Sequence, residues 1–473
     1  MNQTNVPNDA SLANARPRLI SVDDNIRTIG GHFFELATLL LEGAQELGFQ
    51  SVLATNSCFD GQAFVNSNWP LARVFNTRRM VRWSLGVDGN SRRSRDLAGR
   101  PLGGTAVQNK WTQLTEKIGR PSHRPETMIR QWSDDLSSLL MLCKPTPNDS
   151  LLINTGDDFV MLALAAAMRR LYLPFRLRID VIFHFAIYDQ SSDRPEVLHQ
   201  YGRQMNHCLD ALKSHDVRLH ATTESLASQM REANLRQEVN AIPYPTRPRA
   251  VREDASRSSP VKVVLAGLPR AEKGRESITT LLHDIDQPLL QTGQVQMSMQ
   301  MPADNWESMV PRSLHSDYRR AVADQQLNEP DRDVRTNCLE IKTSNLSTDD
   351  YHGWLDSSDV GLFLYAPDRY VARCSGVLLE MMVRGVPVIV PDGCWLADQV
   401  QAANNAVGGS SMVGFIYQDH SDIPKMLRQF IEQREAIRAN AVRHAATIAA
   451  RHRATNTIHE LGIPTPQAIK MVA

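Results

Sequence analysis

Short apolar runs alternate along the chain with longer stretches whose apolar residues recur every three or four positions. Leu19-Ile20-Ser21-Val22 is such a run and ends in Asp23-Asp24. After a loop, Gly30-Gly31-His32 leads into a stretch with apolar residues at Phe33, Leu36, Ala37, Leu40, Leu41 and Ala44. That spacing is one face of a helix. Gly48 stops it, and Ser51-Val52-Leu53-Ala54 predicts the next strand. Similar units follow. Leu151-Leu152-Ile153 precedes Thr155-Gly156-Asp157 and a helix through Arg170. Residues 179–183 predict a strand closing at His184, and residues 195–214 a helix. Residues 217–221 predict a strand, after which Thr222 or Thr223 caps a helix. Strands alternating with helices imply a parallel sheet covered on both faces.

Ile242-Pro243-Tyr244-Pro245 begins a linker, and residues 246–260, rich in Pro, Ser, Arg and Asp, carry no period. The pattern then restarts. Residues 261–266, 295–301, 360–364 and 386–390 predict strands, and residues 424–461 read as helical and heavily charged. The expected fold class is therefore α/β. It has two doubly wound, Rossmann-like domains facing each other across a cleft, residues 1–245 and 246–473, with terminal helices in the second. A length of 473 residues suits two such domains.

Composition narrows the partners. Lys and Arg number 52, as do Asp and Glu, so no global field favours nucleic acid. The six cysteines include no C-x-x-C pair, which points to reduced thiols in a cytoplasmic protein. Residues 1–18 lack the apolar core of a signal peptide. The longest apolar run, residues 159–168, is about half of the roughly 20 residues that span a bilayer, so no transmembrane helix is expected. One segment departs from this balance. Residues 73–130 hold 13 Lys and Arg against four Asp and Glu, with Trp83 and Trp111 among them. It reads as a basic insertion in the first domain. Peripheral attachment to an anionic membrane surface is one expectation for it. A solvated loop, or one neutralised by acids elsewhere, is the plain alternative.

The candidate chemistry lies mainly in the second half. Ser375-Gly376-Val377 opens a predicted helix, where backbone N–H groups can approach a phosphate. Glu380 lies about one turn further in, placed to accept hydrogen bonds from a ribose diol, and Gly385 ends the helix. The plain alternative is an ordinary helix-to-strand unit with a solvated acid. Gly267 to Gly274 follows a predicted strand and precedes a helix, so it sits at a sheet edge where open α/β sheets bind ligands. Its Arg270 and Lys273 are cations suited to a diphosphate leaving group, or else part of a basic turn.

Together these residues resemble the retaining GT-B glycosyltransferases that carry an E-x7-E motif, a likeness that covers most of the chain. Residues 23–46 resemble the family's opening strand, glycine loop and first helix. Residues 265–274 resemble its Gly…Arg…Lys-Gly donor loop, and residues 359–391 its nucleotide-sugar signature. The resemblance implies transfer of a sugar from a nucleotide-diphosphate sugar to a sugar, lipid-linked or other small acceptor. It implies retention of configuration and no metal or other cofactor. By the same likeness Glu380 holds the ribose, Arg270 and Lys273 the diphosphate, and His184 contacts the donor sugar near the reaction centre. Gly267 shapes the donor loop, while Gly30, Gly31 and His32 line the acceptor side. One departure stands out: the first acid of the motif falls on Ala372, and Arg373-Cys374-Ser375 replaces the usual Gly-Phe-Gly. Tyr370 or Arg373 is the candidate substitute in sugar recognition.

Two rivals remain open at this level. One is another GT-B enzyme such as an epimerase, and the other is a non-catalytic sugar-nucleotide-binding or scaffold protein. The strings Asp284-Ile285-Asp286 and Asp331-Arg332-Asp333 end no apolar strand and read as surface acids, not a metal site.

Overall fold

The computed structural model describes residues 16–29, 31–61, 65–66, 68–77, 81–82, 95–96, 125–187, 195–249, 251, 260–301, 306–327, 338–343, 346–408 and 411–466. The described chain forms two compact units. The first combines the chain up to Pro245 with a segment that begins at Arg453, and the second is built from Thr246–His452.

The first unit opens with β1 (Arg18–Asp23), β2 (Gln50–Asn56) and β3 (Leu71–Phe75). A short antiparallel pair follows, β4 (Val81–Arg82) with β5 (Arg95–Asp96). Then come β6 (Ser150–Gly156), β7 (Arg178–Phe183), β8 (Asp216–Ala221) and β9 (Val239–Ala241). Seven of these pair in the order β3-β2-β1-β6-β7-β8-β9, and every pairing is parallel. Every position of β6 and β7 is buried, as a strand with covered faces on both sides requires. The second unit contains β10 (Val261–Leu265), β11 (Val295–Gln300), β12 (Leu339–Lys342), β13 (Val360–Leu362), β14 (Val388–Pro391) and β15 (Gly414–Tyr417). They form a parallel sheet in the order β12-β11-β10-β13-β14-β15. Val263, Met297, Ile341, Leu362 and Ile389 sit in its core, packed against Leu281, Leu314 and Phe430 from helices and turns.

Helix starts follow the side chains available. Asp157 caps the Asp158–Arg170 helix by accepting from the Val160 N–H, and Thr223, not Thr222, caps Glu224–Glu232 through the Leu226 N–H. The predicted helix over residues 195–214 stops earlier, at Ala211.

Three expectations need correction or restriction. The charged helical region near the end is not one element of the second unit. A helix over Ile423–Arg451 belongs to the second unit, whereas the Ala454–Glu460 helix packs on the first. The reason is steric and polar. Gly43, in the Gly31–Glu46 helix, has no Cβ, and one added there would stand 2.8 Å from the Ala454 carbonyl carbon. Arg178 donates to the Leu461 and Gly462 carbonyl oxygens at 2.6 and 2.7 Å, and Ile458 and Leu461 are buried. Next, Asp286 is not a surface acid: it is buried and accepts from Gln291 Nε2 at 2.9 Å. Finally, most of the basic insertion at 73–130, together with Asp331 and Asp333, lies outside the described residues.

Candidate functional site

In an open parallel sheet the strand order reverses at one place, and the loops leaving the carboxyl ends of the two strands there diverge to leave a crevice. In the second unit that place lies between β10 and β13, which are neighbours although β11 and β12 come between them in sequence. The loop after β10 carries Gly267, Arg270, Lys273 and Gly274. The loop after β13 carries Tyr365, Tyr370, Arg373 and Ser375. The Ala366 N–H donates to the Glu272 carbonyl at 3.0 Å, so the two loops lie side by side.

Backbone geometry explains the glycines of the first loop. Gly267 has φ +92°, and a Cβ there would stand 2.7 Å from Lys273 Nζ. Gly274 has φ +76°, and a Cβ there would run into the Leu364 carbonyl oxygen. Only glycine suits either place. Between them Ala271–Lys273 makes one 3-10 turn, which lays the Lys273 side chain back over the loop. Its ammonium sits 5.5 Å from the centre of the Tyr365 ring. Burial pushes the Lys273 ammonium below its ordinary value; Tyr370 pulls it back up, and the like charges of Arg270 and Arg373 depress it further. Arg270 itself is exposed.

The second loop is aromatic. Tyr365 and Tyr370 are buried with ring centres 4.5 Å apart, and Arg373 lies over the Tyr370 ring at 5.1 Å. Burial pushes both phenols up to about 12, so both stay protonated. The Tyr365 hydroxyl also bonds the Ser375 side chain. Ser375 caps the Gly376–Met382 helix by accepting from the Leu378 N–H, and Gly376 and Val377 form its first turn. Ala372, where the motif's first acid is expected, is wholly buried.

Glu380 stands in the same short helix, half-buried. Its Oε2 accepts from the Tyr351 hydroxyl at 2.9 Å, and its backbone oxygen accepts from Arg384 Nη1 at 2.7 Å. Tyr351 belongs to the Thr348–Asp356 helix and was not singled out from sequence. The contact joins residues 29 positions apart, and no local spacing announces it. Tyr365 was missed as well. A tyrosine immediately after the predicted strand at 360–364, at the same edge as Gly267, was its available signal.

The first unit has its own reversal point, between β1 and β6. Asp23 ends β1, Asp24 follows it in the turn, and both are buried. Thr155 donates to Asp23 Oδ2 at 2.8 Å, and the Asn25 N–H and side-chain amide donate to Oδ1 at 2.9 and 3.0 Å. Burial and the neighbouring Asp24 raise the Asp23 carboxyl to about 6. His184 follows β7, is buried, and its Nε2–H donates to the Asn154 carbonyl at 2.5 Å. Its ring also meets Tyr244 edge-on, with centres 6.1 Å apart. Of the glycine-loop candidates, Gly30 lies outside the described residues. Gly31 starts its helix at φ +75°, and His32 is exposed beside Phe33. Among the described residues no group of three or more His, Cys, Asp or Glu side chains is placed to hold a metal ion. None of the described helices is long and apolar enough to cross a membrane.

No family model and no curated protein matches this sequence. Solved structures do match the fold. Sucrose-phosphate synthase from Thermosynechococcus elongatus shares 12% identity over 97% of this chain and 99% of its own, with a TM-score of 0.57. An alpha,alpha-trehalose 6-phosphate synthase from Burkholderia multivorans shares 12% identity over 97% of each chain, with a TM-score of 0.54. Anabaena HepE, solved in complex with UDP-glucose, shares 10% identity over 94% of this chain and 98% of its own, with a TM-score of 0.50. At these identities the likeness defines the fold: two parallel α/β sheets of the GT-B class.

Proposed function

We propose that the protein is a glycosyltransferase that takes its sugar from a nucleotide-diphosphate sugar bound to the second unit. The observation that supports this reading best is the pairing of unlike groups around one sheet reversal. A carboxylate, Glu380, and the cations Lys273 and Arg373 all act on Tyr365, and Arg270 acts in turn on Lys273. A ribose diol and a diphosphate need those two kinds of partner, a short distance apart. UDP-glucose in the HepE structure, and the two synthases of the same fold, favour a sugar nucleotide over a bare one.

In this reading Glu380 accepts from the ribose hydroxyls, and Arg270 and Lys273 take up charge as the diphosphate departs. Burial and the nearby Arg270 and Arg373 disfavour the charged form of Lys273, and an arriving diphosphate favours it. The first-turn N–H groups at Gly376 and Val377 face the same charge. Tyr370 and Arg373 stand in for the acid absent at Ala372 and contact the sugar. The bond from the anomeric carbon to the diphosphate breaks, and a bond from that carbon to an acceptor hydroxyl oxygen forms on the same face. The acceptor proton passes to the departing phosphate, so neither a protein base nor a metal is required. The acceptor, a sugar, a lipid-linked sugar or another small hydroxyl compound, is assigned to the first unit.

A second reading rests on Ala372: a binder of sugar nucleotides that does not transfer. Incubation with a panel of nucleotide sugars, followed by release of nucleoside diphosphate, separates the two. Release above background in wild type, abolished in Lys273→Ala, supports transfer. Tight binding without release supports the binder, and neither binding nor release sinks both.

A further inference from the structure

The Thr348–Asp356 helix serves no purpose in the reading so far, yet four of its side chains are committed around Glu380. Ser347 caps it by accepting from the Asp350 N–H. Trp354 Nε1 donates to Ser298 Oγ at 2.6 Å, and the Ser298 hydroxyl donates in turn to Glu340 at 2.5 Å. Glu340 is itself gripped by Lys262 at 2.7 Å and Lys342 at 3.0 Å. Burial alone raises the Glu340 carboxyl, but the two lysines outweigh it and hold it down near 2. The helix is therefore bolted through Trp354 to β10, β11 and β12. From that anchorage it reaches Arg384, just past the end of the Gly376–Met382 helix, by two further routes. Asp356 accepts from Arg384 Nε at 2.6 Å, and His352 Nδ1 accepts from Arg384 Nη2 at 2.8 Å. Arg384 also holds the Glu380 carbonyl. The remaining route is the Tyr351 hydroxyl on the Glu380 carboxylate.

Resting on the nucleotide-sugar reading above, we infer that Tyr351 is the positioning residue that fixes the Glu380 carboxylate for the ribose diol. A carboxylate on a three-torsion side chain otherwise samples several rotamers, and ordering it on binding has an entropic cost. A phenol O–H fixed by a braced helix removes that cost before the nucleotide arrives. Burial and the adjacent carboxylate both raise the Tyr351 phenol well above its ordinary value, so it remains a donor at every working pH. The sugar-edge hydroxyls of the nucleotide then meet one oriented acceptor. That is a means of telling ribose from deoxyribose, because a positioned buried acceptor left without its hydroxyl is penalised.

The test uses the whole protein, Tyr351→Phe, Glu380→Ala and the double variant. Calorimetry is run with UDP, ADP and GDP, with the 2′-deoxy and 3′-deoxy forms of whichever binds best, and with inorganic pyrophosphate. Tyr351→Phe is expected to weaken the ribonucleoside diphosphate about 5–10-fold, the scale of one ordinary intramolecular hydrogen bond. It should shrink the preference for ribose over deoxyribose and leave pyrophosphate affinity unchanged. In the Glu380→Ala background it should add nothing. Unchanged affinities and preference in Tyr351→Phe overturn this assignment alone. Loss of pyrophosphate binding alongside assigns Tyr351 to the fold and overturns it too. Failure of the wild type to bind any of the three diphosphates overturns the nucleotide-sugar reading, and this assignment with it.

Discussion

The two sheet reversals occupy equivalent places in their units, but their side chains are put to opposite ends. At the first, between β1 and β6, polar groups satisfy one another: Thr155 and Asn25 on Asp23, His184 on Asn154. Both the acid and the histidine are buried. At the second, between β10 and β13, the exposed Arg270, with Arg373, crowds Lys273, while Tyr370 and Glu272 pull the other way. One edge is closed on itself, and at the other the like charges of Arg270 and Arg373 bear on Lys273. The fold supplies the place in both units, and only the residues distinguish a braced edge from a receptive one.

Changes at the receptive edge should therefore affect chemistry, and changes at the braced edge should affect stability. The largest effect is expected from replacing Arg270 and Lys273 together by Ala. Donor turnover should fall about 10³-fold or more, because two groups that stabilise the departing charge go at once. Steady-state release of nucleoside diphosphate measures it, and wild-type turnover in a folded variant would erase the contrast. Gly274→Ala breaks the rule from within the receptive edge. The new Cβ meets the Leu364 carbonyl at φ +76°, so the second unit should lose roughly 3 kcal/mol, read by urea unfolding.

The acids sharpen the comparison through pH. Asp23 is raised from 3.8 to about 6 by burial, so its protonated form favours the folded first unit. That contribution is complete below about pH 4 and is lost as pH rises through 6, a change of roughly 2–3 kcal/mol. Glu340, held near 2, does the reverse for the second unit, whose stability is lost as pH falls below the ordinary carboxylate range. Urea midpoints followed from pH 4 to 7 in wild type and Asp23→Asn should show the first slope vanish in the variant. A slope that survives would locate it elsewhere. The smallest effect is expected from His184→Ala. It leaves the Asn154 carbonyl without its donor and should remove about 1–2 kcal/mol from the first unit with nucleotide affinity unchanged. Donor turnover falling further than that stability loss explains would move His184 from the braced network into the reaction.

Much of this was readable from spacing. The runs at Leu19, Leu151, Val261 and Val295 all became buried parallel strands, because a strand covered on both faces favours apolar residues, although β11 also buries Gln296, Ser298 and Gln300. Gly267, Arg270, Lys273 and Ser375 announced their loops for a related reason: tight turns and caps restrict residue type locally. Tyr351 did not, since its purpose depends on a partner in another helix. Nor did the break between Arg451 and Ala454, where the charged pattern continues with no Pro or Gly to mark it. Asp286 looked like a surface acid because burial of a carboxylate with a glutamine leaves no trace in periodicity.

That unmarked break has a consequence for synthesis. A ribosome delivers β1 before Thr246–His452 and Ile458 after it, yet both belong to the first unit. The second unit, by contrast, is drawn from Thr246–His452 and is complete in sequence before residue 453 emerges. Domains usually mature in the order they are made. Here the later unit can close its core first, while the earlier one still lacks the helix that seats against Gly43 and the two carbonyls that Arg178 grips. A nascent chain stalled after His452 thus carries a finished second unit and an unsealed first one. The Ala454–Glu460 helix acts as the rivet of the part that was begun before the second unit.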